Sequence, residues 1–494
     1  MGHSEVARSA LPYLAAAAVS WYLYKIFVAP FLSPLRKIPG RPYKPFVGNM
    51  LEALGSEAGD NTTNWMTEYK SRIVRFYYFY GECRVLVADP DIVRHVMITN
   101  SRNYKRGSSS PIKPLVPGFV LLLDGEEHHA VRKLINPAFN AKHMNDFIPI
   151  FEETARKLIK LWQKEIYENG GKSSEVPAQK HMTMLTLEAV CRCVFGYDIN
   201  SVEEPDHAGV QSFQRILQRL QIKLSSMLPL QRWLPTKENR QMWADLAFYR
   251  STIGNMIKLK RLKMEEGDKS NDMLSRLLRA KDEEGRTLDD KSLFGQIGGF
   301  LFAGFETTSM NLTWTLLLLA QHPDVQEKAR QEILNVLGDS DQTITAEKLS
   351  QLVYLTSVIR ESLRLYSPAS TVFRRAAKPD TLGGYYIPAG TLVGISIGGL
   401  HRLPENYEDP LTFRPERFLE PEDKWKNKFL PFSTGPYMCV GHIFSLTEVK
   451  VTLALFLKNF QVALPPGYKF RRVRYLTLQP KPPLSLVVRS IVNE

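Results

Sequence analysis

The sequence predicts a mainly α-helical fold with small β-sheets, and three observations support this. Long stretches, from residue 147 to 279 and again after Thr287, carry apolar residues at helical spacing. Only short runs, such as 75–81 and 84–88, have the aromatic and β-branched content of paired strands. The interior of the 494 residues shows no repeat and no long linker. We therefore expect one large domain after a short N-terminal segment.

The composition limits the kinds of binding partner and the redox compartment that can be expected. The net charge of +13 arises from 64 basic and 51 acidic residues without a long basic run, which fits contact with an acidic protein or anionic lipid. No nucleic-acid partner is predicted. The four cysteines, Cys83, Cys191, Cys193 and Cys439, are too few for a disulfide framework and indicate a reducing compartment. The pair at 191 and 193 lies in an apolar helical run and is assigned to core packing.

Residues 10–32 are nearly all apolar, and Lys25 is the one charge among them. This run is long enough to cross a bilayer, which takes about 20 helical residues. Four basic residues follow it: Arg36, Lys37, Arg41 and Lys44. By the positive-inside rule they place the main domain on the cytoplasmic side. A retained anchor is favoured over a cleaved signal peptide because a proline-rich hinge follows. We predict an anchor and hinge over 1–45 and a catalytic domain over 46–494.

The run from Pro431 to Gly441 places one cysteine among small residues, directly before an apolar helical stretch. A thiol at a helix start feels the positive end of the helix dipole, which favours the thiolate form of Cys439. Such a thiolate suits one bond to a soft metal. Gly435 and Gly441 allow a flat cofactor to approach, and Phe432 can lie against it. The alternative is a buried structural cysteine.

Three further motifs accompany this loop: Ala303-Gly-Phe-Glu-Thr-Thr308, Glu361-Ser-Leu-Arg364 and Phe413-Arg-Pro-Glu-Arg-Phe418. Together with Phe-x-x-Gly-x-x-x-Cys-x-Gly they resemble, in order and rough spacing, the signatures of the cytochrome P450 family over roughly residues 35–490. The resemblance implies haem b held between a long distal helix and a proximal cysteine loop, with Cys439 as the iron ligand.

The distal helix is expected to begin near Thr287 as its cap and to run past 30 residues, since the next proline is Pro323. Small residues share one of its faces by helical spacing: Ala303, Gly304 and Thr307. The resemblance implies that Thr307 holds a water or dioxygen and that Glu306 relays protons inward. Because the fatty-acid ω-hydroxylase branch has a glutamate where this chain has Ala303, no covalent haem is expected.

Basic residues are expected at the haem carboxylates. Residues 125–132 resemble a family helix in which Arg132 and His128 would donate to these groups. The family usually has tryptophan where this chain has His128. For His128 the alternative is a solvated helix face. Arg374 matches a further position that contacts a propionate. Tyr437 departs from the pattern, because the family usually carries arginine or histidine there. The resemblance also implies a buried structural ion network of three side chains: Glu361, Arg364 and Arg417.

The implied function is monooxygenation of a lipophilic substrate, such as a fatty acid, sterol, terpenoid or xenobiotic, at the endoplasmic reticulum membrane. Electrons would come from NADPH through a flavoprotein, an NADPH–cytochrome reductase, or from a cytochrome b-type donor. Four lysines are a hypothetical docking face for this donor: Lys424, Lys426, Lys428 and Lys450. Apolar residues within 222–230 and the segment 104–123 are expected to wall the pocket, and strands near 476–478 and 484–488 to form a hairpin. Two alternatives are a donor-independent hydroperoxide or endoperoxide isomerase or lyase, and a non-catalytic haem-binding protein.

Overall fold

The computed structural model describes residues 3–55, 57, 60–106, 112–113, 115–204, 211–212, 215–216, 234–338 and 343–491. The described helices, in chain order, are α1 (His3–Phe27), α2 (Ala29–Leu32), α3 (Met50–Gly55), α4 (Asp60–Glu68), α5 (Pro90–Arg94), α6 (Gly125–Ile135), α7 (Ala141–Asn145), α8 (Ile148–Glu168), α9 (Ala178–Phe195), α10 (Lys237–Glu265), α11 (Met273–Arg279), α12 (Asp290–Gln321), α13 (Pro323–Leu337), α14 (Ala346–Gln351), α15 (Val353–Leu365), α16 (Ile397–Arg402) and α17 (His442–Asn459).

The described strands are β1 (Ile73–Tyr77), β2 (Cys83–Val87), β3 (Tyr104–Lys105), β4 (Ser173–Val176), β5 (Thr371–Ala376), β6 (Asp380–Leu382), β7 (Tyr385–Ile387), β8 (Leu392–Ser396), β9 (Phe460–Ala463), β10 (Arg471–Arg474), β11 (Leu478–Lys481) and β12 (Leu486–Ser490). The chain groups into two compact units. The first comprises Met1–Lys105 with Thr371–Tyr407, and the second comprises Arg106–Ser370 with Glu408–Glu494. The mainly helical fold with small sheets is confirmed.

The first unit is built on a five-stranded sheet in the order β1-β2-β8-β5-β3. The predicted hairpin is confirmed, since β1 and β2 pair antiparallel with Ile73 opposite Val87. Asp89 then caps α5, because its carboxylate accepts the backbone N–H of Asp91 at 3.0 Å and of Ile92 at 3.1 Å. The first unit therefore follows the local sequence signals closely.

The N-terminal apolar run does form helix, as α1 and α2. Within the described part of the chain, however, no helix combines the length and the apolar character that crossing a membrane requires. The prediction of a spanning helix is therefore not met.

The second unit is organised around α12, a helix of 32 residues. Its N-cap is Asp289 and not Thr287, because the Asp289 carboxylate accepts the backbone N–H of Ser292 at 2.8 Å. Hydrogen bonds from the Ser292 side chain and from its backbone N–H lower the pKa of Asp289. The helix ends at Gln321, just before Pro323, the residue expected to stop it.

A glycine face in the first half of α12 seats the segment 117–120 against the helix. An added methyl group at Gly295 would lie 2.1 Å from the carbonyl oxygen of Pro117, and one at Gly299 would lie 2.2 Å from the ring of Phe119. Between these glycines, the Gln296 amide donates to the Gly118 oxygen at 2.6 Å and accepts the Val120 N–H at 3.0 Å. Because the two glycines lack a Cβ, the backbone of the segment 117–120 can lie directly against α12.

Two small sheets complete the second unit, with strand orders β4-β12-β9 and β10-β11. The predicted C-terminal hairpin is wrong in its pairing. Leu478 in β11 lies opposite Arg474 in β10, whereas β12 pairs with β4 and β9. Pro482 and Pro483 separate β11 from β12, so the two strands enter different sheets.

One carboxyl group in the helical core of the second unit lacks a partner. Glu448 on α17 is fully buried, and neither of its side-chain oxygens has a hydrogen-bond partner among the described residues. Burial raises its pKa well above the ordinary value of 4.5. A neutral carboxylic acid is the form that such a position favours.

Candidate active site

Helix α12 opens onto an internal recess at its middle. From Gly295 to Leu319 every residue is buried except Ala303, Gly304 and Thr307, which are half-buried. These residues share one face of the helix, so the helix is covered all round except along this face. The Thr307 hydroxyl donates to the Ala303 carbonyl oxygen, one turn earlier, at 2.7 Å. The hydroxyl therefore lies at the recess with its lone pairs available as acceptors.

Gly304 differs from its neighbours on this face. An added methyl group there would lie 3.0 Å from the side chain of Val190 on α9, so the glycine allows the two helices to approach closely. A bond from the Thr186 hydroxyl to the Phe305 carbonyl oxygen, at 3.0 Å, joins the same two helices. The recess wall is therefore formed mainly by Ala303 and Thr307.

The cysteine loop closes directly before α17. The backbone N–H of Cys439 donates to the carbonyl oxygen of Phe432 at 2.9 Å. Ser433 and Gly435 turn the chain between them, with φ angles of 64° and 70° in the left-handed region. Gly441 then occupies the N-cap position of α17. This arrangement fixes the thiol at the start of a helix.

The environment of the Cys439 thiol combines exposure with desolvation. Its side chain is exposed, yet burial raises its pKa above the ordinary value of 9.0. Both hold when the sulfur faces a recess enclosed by protein and not the outer surface. The Gly441 N–H and the charges of Arg132 and Arg106 oppose the rise. The expected helix-dipole effect is thus outweighed by desolvation, and a metal bond would favour the thiolate further.

The two halves of the site are joined by a hydroxyl pair. The Thr308 hydroxyl, one residue after Thr307, lies 3.1 Å from the Ser445 hydroxyl, six residues after Cys439. The helices that carry the distal face and the cysteine loop are thereby held in contact. Among the described residues no group of three or more His, Cys, Asp or Glu side chains could hold a metal ion. The Cys439 thiol itself can supply one protein bond to a metal whose other ligands come from a cofactor.

The residues predicted on α6 do reach the cysteine loop. The Arg132 guanidinium donates to the Met438 carbonyl oxygen at 3.2 Å, and burial lowers its pKa while Cys439 opposes that change. His128 is buried, and its ring centroid lies 4.5 Å from that of Tyr437. The solvated-face alternative for His128 is therefore excluded by its burial.

Two residues near this loop had no motif to indicate them, namely Arg106 and Asp124. The Arg106 guanidinium carbon lies 4.4 Å from the ring centroid of Tyr437, within range of a cation–π contact. It also donates to the Tyr437 carbonyl oxygen at 3.3 Å. Asp124 accepts the Tyr437 hydroxyl at 3.1 Å. The tyrosine, which carries no charge, thus holds a guanidinium beside the loop.

Glu306 is buried and held by donors from the C-terminal strands. Its Oε1 accepts the Thr477 hydroxyl at 2.7 Å and the Gln479 amide at 2.7 Å. Burial raises its pKa, and these two bonds act in the opposite direction. The Gln479 oxygen in turn accepts the half-buried Gln179 amide at 3.3 Å. The carboxyl group is therefore oriented by residues that the motif around it did not reveal.

The ion network is buried and fully connected. Arg364 donates to both Glu361 oxygens, at 2.7 and 2.8 Å, and Arg417 donates to Oε1 at 3.3 Å. The two guanidiniums also donate to backbone oxygens of residues 409–412, at 2.6 to 3.2 Å. The Arg414 N–H completes the carboxylate shell at 2.9 Å. The network ties α15 to the segment 409–417.

The remaining predicted residues are placed as follows. Arg374 lies buried in β5 of the first unit, where it donates to the Phe373 carbonyl oxygen at 2.9 Å. The apolar residues within 222–230, and part of 104–123, lie outside the described residues. Cys191 and Cys193 are buried in α9, as core packing requires.

Comparison with known proteins identifies relatives of the whole chain. A family model described as Cytochrome P450 matches residues 38–488. Cytochrome P450 72A397 of Kalopanax septemlobus is 31% identical over 420 residues, covering 83% of this chain and 79% of that protein. The 7-deoxyloganic acid hydroxylase of Catharanthus roseus is 30% identical, with 92% of this chain and 91% of that protein covered. The crystal structure of the cytochrome P450DA heme domain superposes with a TM-score of 0.81 at 25% identity, covering 92% of this chain and 97% of that one.

Proposed function

Because this chain belongs to the cytochrome P450 family and is a haem-dependent monooxygenase, we propose that it inserts one oxygen atom from O2 into a lipophilic substrate. Electrons would come from NADPH through a flavoprotein reductase. The observation that supports this best is the exposed yet desolvated Cys439 thiol. It lies in the loop directly before α17, a helix that is held against α12 beside Thr307. Haem, when bound, supplies the redox chemistry that activates O2.

The residues around the recess suit that cofactor. Cys439 would bind the iron, and three further residues of its loop would border one face of the ring: Phe432, Gly435 and Gly441. Ala303 and Thr307 would border the other face, whereas Gly304, predicted to do so, packs against Val190 of α9. The contact predicted for Arg374, in the first unit, stays a prediction. The carboxylates of the cofactor would meet Arg132 and His128, as predicted, and also Arg106. This last guanidinium compensates for the charge that Tyr437 does not provide.

Proton delivery would fall to Thr307 and Glu306. The Thr307 hydroxyl donates to its own helix, so it can accept a hydrogen bond from a water in the recess. The raised pKa of Glu306 brings its proton closer to exchange at neutral pH. We infer that the pair positions water and supplies protons at the recess.

The electron donor would dock on the exposed lysines before the cysteine loop. Lys424 and Lys426 are exposed, and the second pairs with Glu422 at 3.2 Å. Lys428 is half-buried. Lys450 donates to the Leu349 carbonyl oxygen at 3.0 Å, and burial lowers its pKa to about 8, so it does not belong to the docking face. Charge reversal at 424 and 426 should slow donor-supported turnover at low salt.

We also propose association with the endoplasmic reticulum membrane through residues 1–45, with the domain 46–494 on its cytoplasmic face. Apolar side chains of α1 and α2 are exposed, among them Trp21, Leu23, Phe31 and Leu32. Exposed apolar residues beside basic ones are typical of segments that lie at a lipid surface. Flotation of the full chain with phospholipid vesicles, but not of a chain lacking residues 1–45, would support this; equal flotation would contradict it.

The carbon-monoxide difference spectrum of the reduced protein, beside Cys439→Ser, tests the main proposal. A thiolate-type band in the parent that is lost in the variant would establish the iron ligand. Its absence from haem-loaded parent would contradict the proposal. Turnover of lipids without NADPH and reductase would instead support the isomerase or lyase alternative, which the uncharged Tyr437 favours.

A further inference from the structure

Two donors from the start of β11 meet at one oxygen of the Glu306 carboxyl group. The Thr477 hydroxyl and the Gln479 amide both donate to Oε1, each at 2.7 Å. Both bonds lie inside the protein, since Glu306 and Thr477 are buried. Within the described part of the chain no group donates to the other oxygen, Oε2. The two oxygens of this carboxyl group therefore have different surroundings.

The direction of the Gln479 bond is fixed by a backbone group. In an amide side chain, nitrogen and oxygen are distinguished by their hydrogen-bond partners. The backbone N–H of Leu484 can only donate, and it donates to the Gln179 oxygen at 3.1 Å. The Gln179 nitrogen is then the group that donates to the Gln479 oxygen, at 3.3 Å. The Gln479 nitrogen is left to face Glu306, so Oε1 has to accept.

The two bonds determine where Glu306 can carry a proton. Each carboxyl oxygen offers two lone-pair positions, and the two donors fill those of Oε1. When the carboxyl group is neutral, its proton therefore lies on Oε2. Burial raises the pKa of Glu306 and so favours this neutral form, and no charged side chain is among the causes. The arrangement thus depends on hydrogen bonds and not on an ion pair.

We propose that Thr477 and Gln479 are positioning residues that fix the proton of neutral Glu306 on Oε2. This inference rests on the proposed function, in which Glu306 supplies protons at the recess. Oε2 is the oxygen that can donate to a water, and after it has lost its proton Oε1 keeps both of its bonds. Gln179 acts one step further away, because it orients Gln479.

Infrared difference spectroscopy of the haem-loaded protein at pH 5 tests this assignment without any substrate. The C=O band of Glu306 is the band that shifts in D2O and is absent from Glu306→Gln. A carbonyl oxygen that loses a hydrogen bond stretches at higher frequency, so Thr477→Val and Gln479→Leu should each move the band to higher wavenumber. Thr477→Ser keeps the hydroxyl and should leave the band near its parental position. Lys481→Gln, at an exposed residue of the same strand, is the matched control and should not move it.

A band at the parental position in both Thr477→Val and Gln479→Leu would overturn the assignment. Absence of any Glu306 band from the parent at pH 5 would also do so, because the carboxyl group would then hold no proton.

A turnover measurement separates failure of this inference from failure of the proposed function. With reductase, NADPH and dodecanoate as the test lipid, Thr477→Val should release about twofold more peroxide per NADPH than the parent, because the proton is then shared between the two oxygens. Thr477→Ser should release as little as the parent. A shifted infrared band with parental peroxide release would retain the proton on Oε2 but contradict the proposed role of Glu306 in proton supply.

Discussion

The Tyr437 hydroxyl donates to Oδ1 of Asp124 at 3.1 Å. The same carboxylate oxygen accepts the backbone N–H of Arg106 at 2.8 Å, and the Arg106 side chain folds back over the Tyr437 ring. At the position of Tyr437 the family usually carries a charged side chain. Here the tyrosine has no charge, but the Arg106 guanidinium lies beside it. In this chain the charge belongs to a residue more than 300 positions earlier, and the tyrosine orients it.

Arg106→Gln should weaken haem retention. The charge of Arg106 opposes the rise in the pKa of Cys439, so its removal disfavours the thiolate that would bind iron. Transfer of haem to excess apomyoglobin, followed by visible absorbance, should be several-fold faster than in the parent. Lys105→Gln, at the exposed neighbouring residue, should transfer haem at the parental rate. Equal rates for all three proteins would contradict the role of Arg106.

Thr307→Ala should separate NADPH consumption from product formation. Without the hydroxyl that faces the recess, no acceptor at this position holds a water beside the site. Proton delivery to the site should then be slower, and hydrogen peroxide should be released in place of product. The measurement is the ratio of product and of peroxide to NADPH consumed. Thr307→Ser keeps the hydroxyl and should restore most of the coupling. Unchanged coupling in the alanine variant would refute the assigned role.

Glu361→Gln should be strongly destabilising. It leaves two buried guanidiniums without their shared carboxylate, and breaking a buried ion pair costs about 3–5 kcal/mol. The free energy of unfolding in urea would measure the loss. Glu408→Gln removes an exposed carboxylate, 3.5 Å from Arg414, and should change stability by less than about 0.5 kcal/mol. Similar losses in the two variants would show that the network contributes little.

Glu448 should make the protein less stable as the pH rises. Its pKa in the folded state lies above that of the unfolded chain, so the folded state holds the proton more tightly. The stabilisation is fully present below the unfolded pKa and is lost as the pH rises through the folded one. Urea unfolding at pH 5 and pH 8 should show a smaller decline in Glu448→Gln than in the parent.

The comparison between variant and parent isolates this group, because Glu306 and the neighbouring Cys193, whose pKa values are also raised, are common to both. Glu203→Gln, at an exposed position, should decline as the parent does. Parallel declines in the parent and in Glu448→Gln would show that the buried carboxyl group is not the cause.

Local signals in the sequence predicted the elements that carry the site. The helical spacing of apolar residues after Cys439 predicted α17, and the proline at 323 predicted the end of α12. Both signals are properties of neighbouring residues, so they can be read from the sequence. The start of α12 was misplaced by two positions, since both Thr287 and Asp289 are good caps and only the fold selects between them. Glu361, Arg364 and Arg417 were grouped by family motifs and not by any local pattern.

What the sequence could not reveal depends on residues far apart in the chain. Strand β4 is short and polar, and it forms a strand only because β12 pairs with it from the C-terminal end. Arg106, Asp124 and Tyr437 carry no shared motif, so their meeting could not be anticipated. Thr477 and Gln479 likewise join Glu306 across more than 170 positions.

The glycine face of α12 has a consequence for the order of folding. The bond between Val120 and Gln296 spans 176 positions, and the segment 117–120 fits only against a helix that has already formed. Contacts of such long range form slowly, because a large loop must close first. We therefore expect this segment to be acquired late, after helix formation. Docking of the segment 117–120 onto α12, more than formation of the helices, would then limit how soon a newly made chain becomes active.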